Sequence, residues 1–435
     1  MRPAFLLAAI LAGVAPAAPA ATVLELVDFQ LVDGTGAPVR HVRQLVASDG
    51  VIVAIDDAGR VPVAAKGDRW QRIDLGGAWI MPGLVDTHVH VARFPDTRAK
   101  AEQLLRMAVR GGVTAVRDLA GDARALADIE RAIGAGEFVG PTVVYSAMFG
   151  GPDIFKQGPT ATMASGRPPG DAPWARMITG ADELPRFVAQ AAGTGARNIK
   201  VYGDLDDALA AALIREARRQ GLMTTAHGTV FPARPSTLVE AGVGSLAHAP
   251  YLVWEAVETV PDDYQQRIAG PWQTIAPDHP KLRALYARMA EKGTFLDATL
   301  WVFKAMNGYS PEINAPWAKD AFEWAARAVR EAHRAGVKVT TGTDWFEPRD
   351  EWGLPHTHDE LALLVENAGF TPMEAIVAGT RNGAEALGLG DVQGTLVVGR
   401  LADLVVLEAN PVEDIHNTTR IRFVVRHGAI IDPAQ

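Results

Sequence analysis

The sequence predicts an α/β protein built around a (β/α)8 barrel, with a small β-sheet region contributed by both ends of the chain. Two patterns support this. The middle of the 435-residue chain alternates short apolar runs with amphipathic helical stretches, whereas both ends alternate apolar and polar residues between turns rich in Gly and Asp. Parallel strands need helical crossovers, so eight such units in series favour a closed barrel.

Eight apolar runs are the candidate barrel strands. In chain order they read AWIMPGLVDTHVH, GVTAVRDL, PTVVYSA, ARNIKVYG, GLMTTAHG, GVGSLAHA, GTFLDATL and GVKVTTGTD. Helices are predicted between them, for example over Asp204–Gln220 and Trp317–Ala335. A further helix should begin at Thr371, where Pro372 and Glu374 complete a capping box.

The two ends of the chain have a different residue pattern from this middle part. The segments TVLELVDFQLVDG near the amino end and GTLVVGRLADLVVLEANP near the carboxyl end have the alternation typical of strands. We therefore divide the chain into a β domain of residues 22–78 and 388–435, and a barrel of residues 79–387. Residues 1–21 form a separate segment.

Residues 1–21, MRPAFLLAAILAGVAPAAPAA, have the features of a signal peptide. Arg2 precedes an apolar run, and Ala18-Pro19-Ala20 has the small-x-small form of a cleavage site. An anchoring helix is the alternative, but the run is shorter than the roughly 20 apolar residues a span needs. We expect an exported protein, periplasmic or secreted, with no membrane attachment after cleavage.

Composition excludes several functions. The net charge of −9 argues against a broad positively charged surface that would bind nucleic acid or an anionic membrane. The chain has no cysteine, so disulfides, thiol catalysis, thiolate zinc sites and iron–sulfur ligation are excluded together. Any metal must be held by nitrogen and oxygen ligands.

Two connections are longer than the few residues that are usual between barrel elements. They span Met148–Gly180 and Tyr251–Pro280, and each follows the end of a predicted strand. Both should therefore lie at the carboxyl face of the barrel, either as walls or lids over a substrate or as unrelated surface insertions.

Six polar side chains lie in or at the ends of predicted strands: His88, His90, Lys200, His227, His248 and Asp344. His88 and His90 are two residues apart on one strand, so their side chains share a face. Each residue alone could be structural, and Lys200 could simply pair with Asp344. Together they converge on the carboxyl face, where barrel enzymes keep their chemistry. Burying them is costly without a cation, and these ligand types suit zinc, with iron, cobalt, nickel or manganese as rivals.

These motifs resemble the metal-dependent amidohydrolase superfamily almost from end to end. The resemblance rests on PGLVDTHVH, IKVY, single histidines at the fifth and sixth strands, GTD at the eighth, and the tail TPMEAIVAGTRNGAEALGLGDVQGTLVVGRLADLVVLEANP. The chain is similar to the branch that contains imidazolonepropionase-like proteins and Xaa-Pro or Xaa-Lys/Arg dipeptidases. That branch has a distorted (β/α)8 TIM barrel and a β-sandwich domain formed by both termini.

The resemblance also implies a binuclear site of two divalent metal ions, expected to be zinc. It assigns His88, His90 and Asp344 to the first metal and His227 and His248 to the second. Lys200, carbamylated by CO2, would bridge the two, because a free ammonium has no lone pair with which to coordinate. A hydroxide shared by the metals would attack the substrate, and Asp344 would carry the proton to the leaving amine.

Substrate contacts are predicted at three positions. Tyr202 follows Lys200 by two residues and should share its face, where its phenol could reach a carbonyl or carboxylate; a capped core tyrosine is the alternative. Arg117 ends the second strand, either as a carboxylate-binding group or in a structural ion pair. His358, on a loop after the last strand together with His356, could order substrate or cap the next helix.

The expected function is hydrolysis of an amide in a dipeptide or N-acyl amino acid. His227 lacks the Glu three residues later that superfamily deaminases carry, since His227-Gly228-Thr229-Val230 is found instead. The alternatives are a cyclic amide (imidazolone or lactam) or lactone hydrolase on the same centre, and a catalytically silent solute-binding barrel. The expected partner is a small molecule or short peptide, with a homo-oligomer as a further possibility.

Overall fold

The computed structural model describes residues 21–56, 68–92, 98–156, 160, 163–164, 166–307, 315–344, 347 and 353–431. The segment predicted as a signal peptide lies outside these residues apart from Ala21. Among the described helices, none has both the length and the apolar character needed to cross a bilayer.

Seventeen strands are found in the described residues. In chain order they are β1 Thr22–Leu31, β2 Arg40–Ser48, β3 Val51–Asp56, β4 Arg69–Pro82, β5 Leu84–Val89, β6 Val113–Asp118, β7 Thr142–Gly150, β8 Asp171–Ala172, β9 Ala175–Met177, β10 Asn198–Val201, β11 Met223–His227, β12 Ser245–Ala247, β13 Phe295–Asp297, β14 Val339–Thr340, β15 Leu404–Leu407, β16 Ile421–Arg426 and β17 Ala429–Ile431.

The described α-helices are α1 Arg98–Arg110, α2 Ala123–Gly134, α3 Leu184–Ala192, α4 Asp207–Arg219, α5 Pro235–Ala241, α6 Pro280–Lys292, α7 Leu300–Met306, α8 Trp317–Arg334, α9 Thr357–Glu366, α10 Pro372–Val377 and α11 Gly383–Ala386. The predicted helices at 204–220 and 317–335 correspond to α4 and α8. The capping box at Thr371 and Glu374 is present at the start of α10.

Strands from both ends of the chain form one seven-stranded mixed sheet, in the order β17-β16-β15-β4-β1-β2-β3. Apolar side chains such as Leu26, Phe29 and Leu404 form its own core. This confirms that the two ends of the chain assemble into one small β region.

Eight parallel strands form the barrel, in the order β14-β13-β12-β11-β10-β7-β6-β5, with the β8–β9 hairpin beside β7. The first and last strands are joined by hydrogen bonds from Thr87 N to Thr341 O (2.9 Å) and from Asp344 N to His88 O (2.8 Å). The buried Asp86 carboxylate reinforces this seam, because it accepts from Thr343 N and Thr343 Oγ1. The predicted barrel is therefore confirmed, in a nearly closed form.

The predicted first barrel strand is divided by the structure. Its residues up to Pro82 belong to β4 in the terminal sheet, and β5 begins at Leu84. Gly83 lies at the junction, where a Cβ atom would be 2.2 Å from the Thr114 side chain. Only glycine allows this close approach, so one stretch of chain connects the terminal sheet to the barrel.

Candidate metal centre

The six predicted side chains line one cavity of about 160 Å³ at the carboxyl ends of the barrel strands. His88 is on β5, Lys200 on β10, and His227 ends β11. His248 and Asp344 come just after β12 and β14. Parallel strands present their carboxyl ends on one face, which brings together residues separated by more than 250 positions.

The backbone is strained where two of these residues project. His248 has φ 68° and Asp344 has φ 53°, in the left-handed region that side chains rarely adopt. Residues in such conformations cost about 1–3 kcal/mol each and cluster at functional sites.

One carboxylate and three imidazoles form the closest group. Asp344 Oδ1 lies 2.9 Å from His90 Nε2 and 3.3 Å from His88 Nε2. Candidate ligand atoms of His88, His248 and Asp344 all lie within 4.8 Å of one another. The His227 ring is 4.7 Å from the His248 ring, so the fourth imidazole adjoins this group.

Three of the histidines are held by their Nδ1 atoms. His88 Nδ1 is 3.0 Å from the Asp297 carboxylate, and His248 Nδ1 is 3.0 Å from Thr299 Oγ1. His227 Nδ1 is 3.1 Å from the Tyr264 hydroxyl. Partners of this kind fix the orientation of metal-binding imidazoles and leave Nε2 as the coordinating atom.

Burial keeps these imidazoles neutral. It lowers the pKa of His88, His227 and His248 well below the usual value, with nearby Lys200 adding to the effect on each. Burial also raises the pKa of the Asp344 carboxyl, but His88 and His90 outweigh it and hold that pKa well below its usual range. Neutral imidazoles and an ionised carboxylate are the forms that bind a metal.

Lys200 is the least satisfied polar group in the cavity. It is buried, and its Nζ atom has no hydrogen-bond partner among the described residues. Burial lowers the pKa of Lys200 to about 7, although Asp344 and Asp297 oppose the shift. A simple Lys200–Asp344 hydrogen bond, the structural alternative considered for this residue, is not formed.

These donors fit a site for divalent metals. The cavity offers four imidazoles, one carboxylate and an unpartnered lysine nitrogen. Their donor atoms are nitrogen and oxygen, which suit zinc. Among the described residues, His88, His248 and Asp344 have candidate ligand atoms close enough to one another to hold one ion.

The three predicted substrate contacts have different surroundings. Tyr202 lines the cavity, with its ring 4.4 Å from that of His227. Arg117 does not line it: this buried side chain donates to Thr87 O and Ala386 O. His358 is also away from the cavity, with Nδ1 3.0 Å from Thr418 Oγ1 and Nε2 2.9 Å from Gly111 O. Of the three, the structure brings only Tyr202 to the cavity wall.

His356, considered beside His358, is also absent from the cavity wall. Its ring stacks on Trp301 at 4.1 Å, and its Nδ1 lies 2.8 Å from Asp359. The sequence drew attention to it by position after the last strand, but its contacts are those of a packed residue.

Sequence reasoning missed several residues that shape the site. Asp297 ends β13 in the same way as His227 ends β11, so the rule that selected the other strand-end residues would have found it. Thr299, Tyr251, Tyr264 and Arg267 lie in irregular segments, where no periodic signal singles them out. Both long connections contribute to the cavity wall. The first contributes Met163, and the second contributes Tyr251, Tyr264 and Arg267.

Several known proteins are similar to this chain. Ochratoxinase from Aspergillus niger is 28% identical over 88% of this chain and 81% of its own length. Imidazolonepropionase from Pseudomonas putida is 26% identical over 86% of this chain and 94% of its own. The structure of a Xaa-Pro dipeptidase with bound methionine superposes with a TM-score of 0.71 at 22% identity, covering 95% of this chain and 100% of that one.

The model of the amidohydrolase family matches residues 79–431, which include the whole barrel and the carboxyl-terminal strands β15 to β17. The matched region contains all six residues of the candidate metal centre. The chain therefore belongs to the amidohydrolase family, whose members are hydrolases that act on carbon–nitrogen bonds.

Proposed function

We propose that this protein is a binuclear metal-dependent amidohydrolase that cleaves the amide bond of a dipeptide or N-acyl amino acid. The observation that carries the proposal is the group of four imidazoles, one carboxylate and one unpartnered lysine around a single cavity. Three of the imidazoles are held through Nδ1, which leaves their Nε2 atoms available.

The residues divide into two ligand groups. His88, His90 and Asp344 would hold one divalent ion, and His227 and His248 the other. Lys200 lies with both groups on the cavity wall, and as a carbamate it would offer two anionic oxygens to bridge them. Zinc is the expected metal, because it favours imidazole and carboxylate ligands.

When bound, the ions would polarise the scissile carbonyl and supply a water nucleophile at neutral pH. Asp344 would accept a proton from the attacking water and deliver it to the leaving amine; its carboxylate lies 3.3 Å from His88 Nε2 and 2.9 Å from His90 Nε2, which supports this role. Tyr202 would donate its phenolic hydrogen to the carbonyl oxygen as negative charge develops there.

Cyclic amides or lactones are the second candidate. The similarity to imidazolonepropionase favours it, whereas the similarity to a Xaa-Pro dipeptidase favours a linear peptide bond. A silent solute-binding barrel is the third, and the full set of ligand-type side chains speaks against it. We also propose export through residues 1–21.

The proposal is tested by metal analysis coupled to a substrate screen. Purified protein is loaded with Zn²⁺ and bicarbonate, and its metal content is measured before assays against dipeptides, N-acyl amino acids, lactams and lactones. Two metals per chain and turnover of linear amides are expected. Turnover confined to lactams or lactones would favour the second candidate, and binding of small peptides without turnover would favour the third.

A further inference from the structure

Arg267 is a cation in the cavity wall that the metal centre does not use. It lies in the short 3₁₀ segment Tyr264–Ala269 of the second long connection and is half-buried. Its guanidinium carbon is 4.4 Å from the centre of the Tyr264 ring, and that ring stacks at 5.7 Å on His227. One aromatic ring therefore joins Arg267 to a candidate metal ligand.

The positive charge of Arg267 has no acidic partner among the described residues. Arg267 Nη1 donates to Gln265 Oε1 (2.9 Å) and to Tyr264 O (3.3 Å), both neutral acceptors. Asp344 is the only carboxylate among the described lining residues, and its close contacts are with His88 and His90. A guanidinium has five N–H donors, so two bonds to neutral acceptors leave capacity for an anion.

Hydroxyl groups lie beside this cation. Tyr251 and Tyr264 are both buried, and burial raises the pKa of each, so they remain neutral phenols at physiological pH. Arg267 also interacts with the Tyr251 side chain. A planar guanidinium next to phenolic donors is well suited to bind a carboxylate, because the two carboxylate oxygens can accept two parallel hydrogen bonds from arginine.

An apolar part of the wall lies on a different element. Val302, Phe303 and Met306 are on α7, and all three line the cavity. The cavity thus combines a cation on one connection with an apolar surface on a helix, around the ligand cluster. A substrate with a carboxylate near its scissile amide and an apolar group elsewhere matches this division.

We propose that Arg267 binds the free carboxylate of the substrate's amino-acid portion and thereby selects amides that carry a terminal carboxylate. The proposal rests on the proposed function, because it places that carboxylate next to the bond to be cleaved. Arg267 takes the role that the sequence had assigned to Arg117.

The test uses two hydrolysis-resistant dipeptide analogues in which a CH2–NH group replaces the amide. One has a free carboxylate and the other a neutral carboxamide. Calorimetry gives their dissociation constants for metal-loaded wild type, Arg267→Gln, Arg267→Lys and the control Arg283→Gln, which removes an exposed arginine from α6. Metal content is measured for each variant.

Wild type and Arg283→Gln should prefer the carboxylate form by roughly 10- to 100-fold, the range expected for a hydrogen bond to a charged group. Arg267→Gln should lose this preference at unchanged metal content, and Arg267→Lys should keep part of it. A role limited to packing would weaken both analogues equally and would overturn the proposal. Equal affinity of the wild type for the carboxylate and carboxamide analogues would also overturn the proposal.

The two proposals fail in different ways. A wild type that prefers the carboxylate analogue but cleaves no amide would refute the hydrolytic function and leave the carboxylate site standing. A wild type that cleaves free and amidated dipeptides with equal efficiency would retain the hydrolytic function and refute the role of Arg267.

Discussion

Two regions of the molecule bury histidines in different ways. In the cavity, His88, His227 and His248 each use Nδ1 for a hydrogen bond to the protein, while their rings surround a common space. In α9, outside the cavity, His358 uses both ring nitrogens, one with Thr418 and one with the Gly111 carbonyl. The two environments are similarly buried, so burial does not separate a ligand from a packed residue.

The difference lies in the second nitrogen. A neutral imidazole has one donor and one acceptor, and a buried site must satisfy both or offer the remaining one to something else. In His88, His227 and His248 the Nε2 atom remains available on the side of the cluster, whereas in His358 both ring nitrogens are already hydrogen-bonded to the protein. Lys200 also has a polar atom available for a ligand, since its buried Nζ has no hydrogen-bond partner among the described residues.

The largest effect is expected for Lys200→Ala. Removing the nitrogen that would carry the carbamate should abolish the bridge, reduce bound metal and lower turnover by several orders of magnitude. A short carboxylic acid with fresh metal should restore part of the activity, because it replaces the missing oxygens. Lys292→Ala, an exposed lysine on α6, is the control. Full turnover in Lys200→Ala would show that the bridge is wrong.

Asp344→Asn should also lose several orders of magnitude in turnover. The amide has nearly the same shape, but it is a poorer ligand and cannot accept the proton. Circular dichroism should show an unchanged fold, since the Asp344 backbone N–H that joins the barrel seam is retained. An unchanged turnover number would remove Asp344 from the mechanism.

A smaller effect is expected for Asp297→Asn, which acts through His88. Loss of the charged partner at His88 Nδ1 should weaken metal affinity by roughly 10- to 100-fold, as for other residues that orient metal ligands. Competition with a zinc chelator measures this affinity. Equal affinity in wild type and variant would mean that the 3.0 Å contact does not tune the site.

His358→Ala should change stability but not metal binding. Its two buried hydrogen-bond partners would lose a ring nitrogen, at a cost of about 1–3 kcal/mol in the free energy of unfolding for each unsatisfied group. Denaturant unfolding measures that cost, and metal content and turnover at saturating substrate should match wild type. If metal were lost from His358→Ala, the contrast between the two regions would not hold.

Sequence reasoning predicted the barrel and the six cavity residues because both follow a regular pattern. Strand periodicity places the strands, and polar residues at strand ends converge on one face. It did not name Asp297 as the partner of His88, although Asp297 ends β13 and the same strand-end rule applies to it. It did not single out Arg267, because Arg267 lies in a connection without periodicity. Arg117 and His358 were selected by position alone, and their partners are backbone carbonyls or distant side chains that no local pattern reveals.

The most direct test of the metal centre is an anomalous-difference map from a crystal of the protein loaded with Zn²⁺ and bicarbonate. Two anomalous peaks are expected, one beside His88, His90 and Asp344 and the other beside the Nε2 atoms of His227 and His248. The ordinary electron-density map of the same crystal should extend past Lys200 Nζ between the two peaks. Absence of both peaks, or a Lys200 side chain turned away from the histidines, would contradict the account.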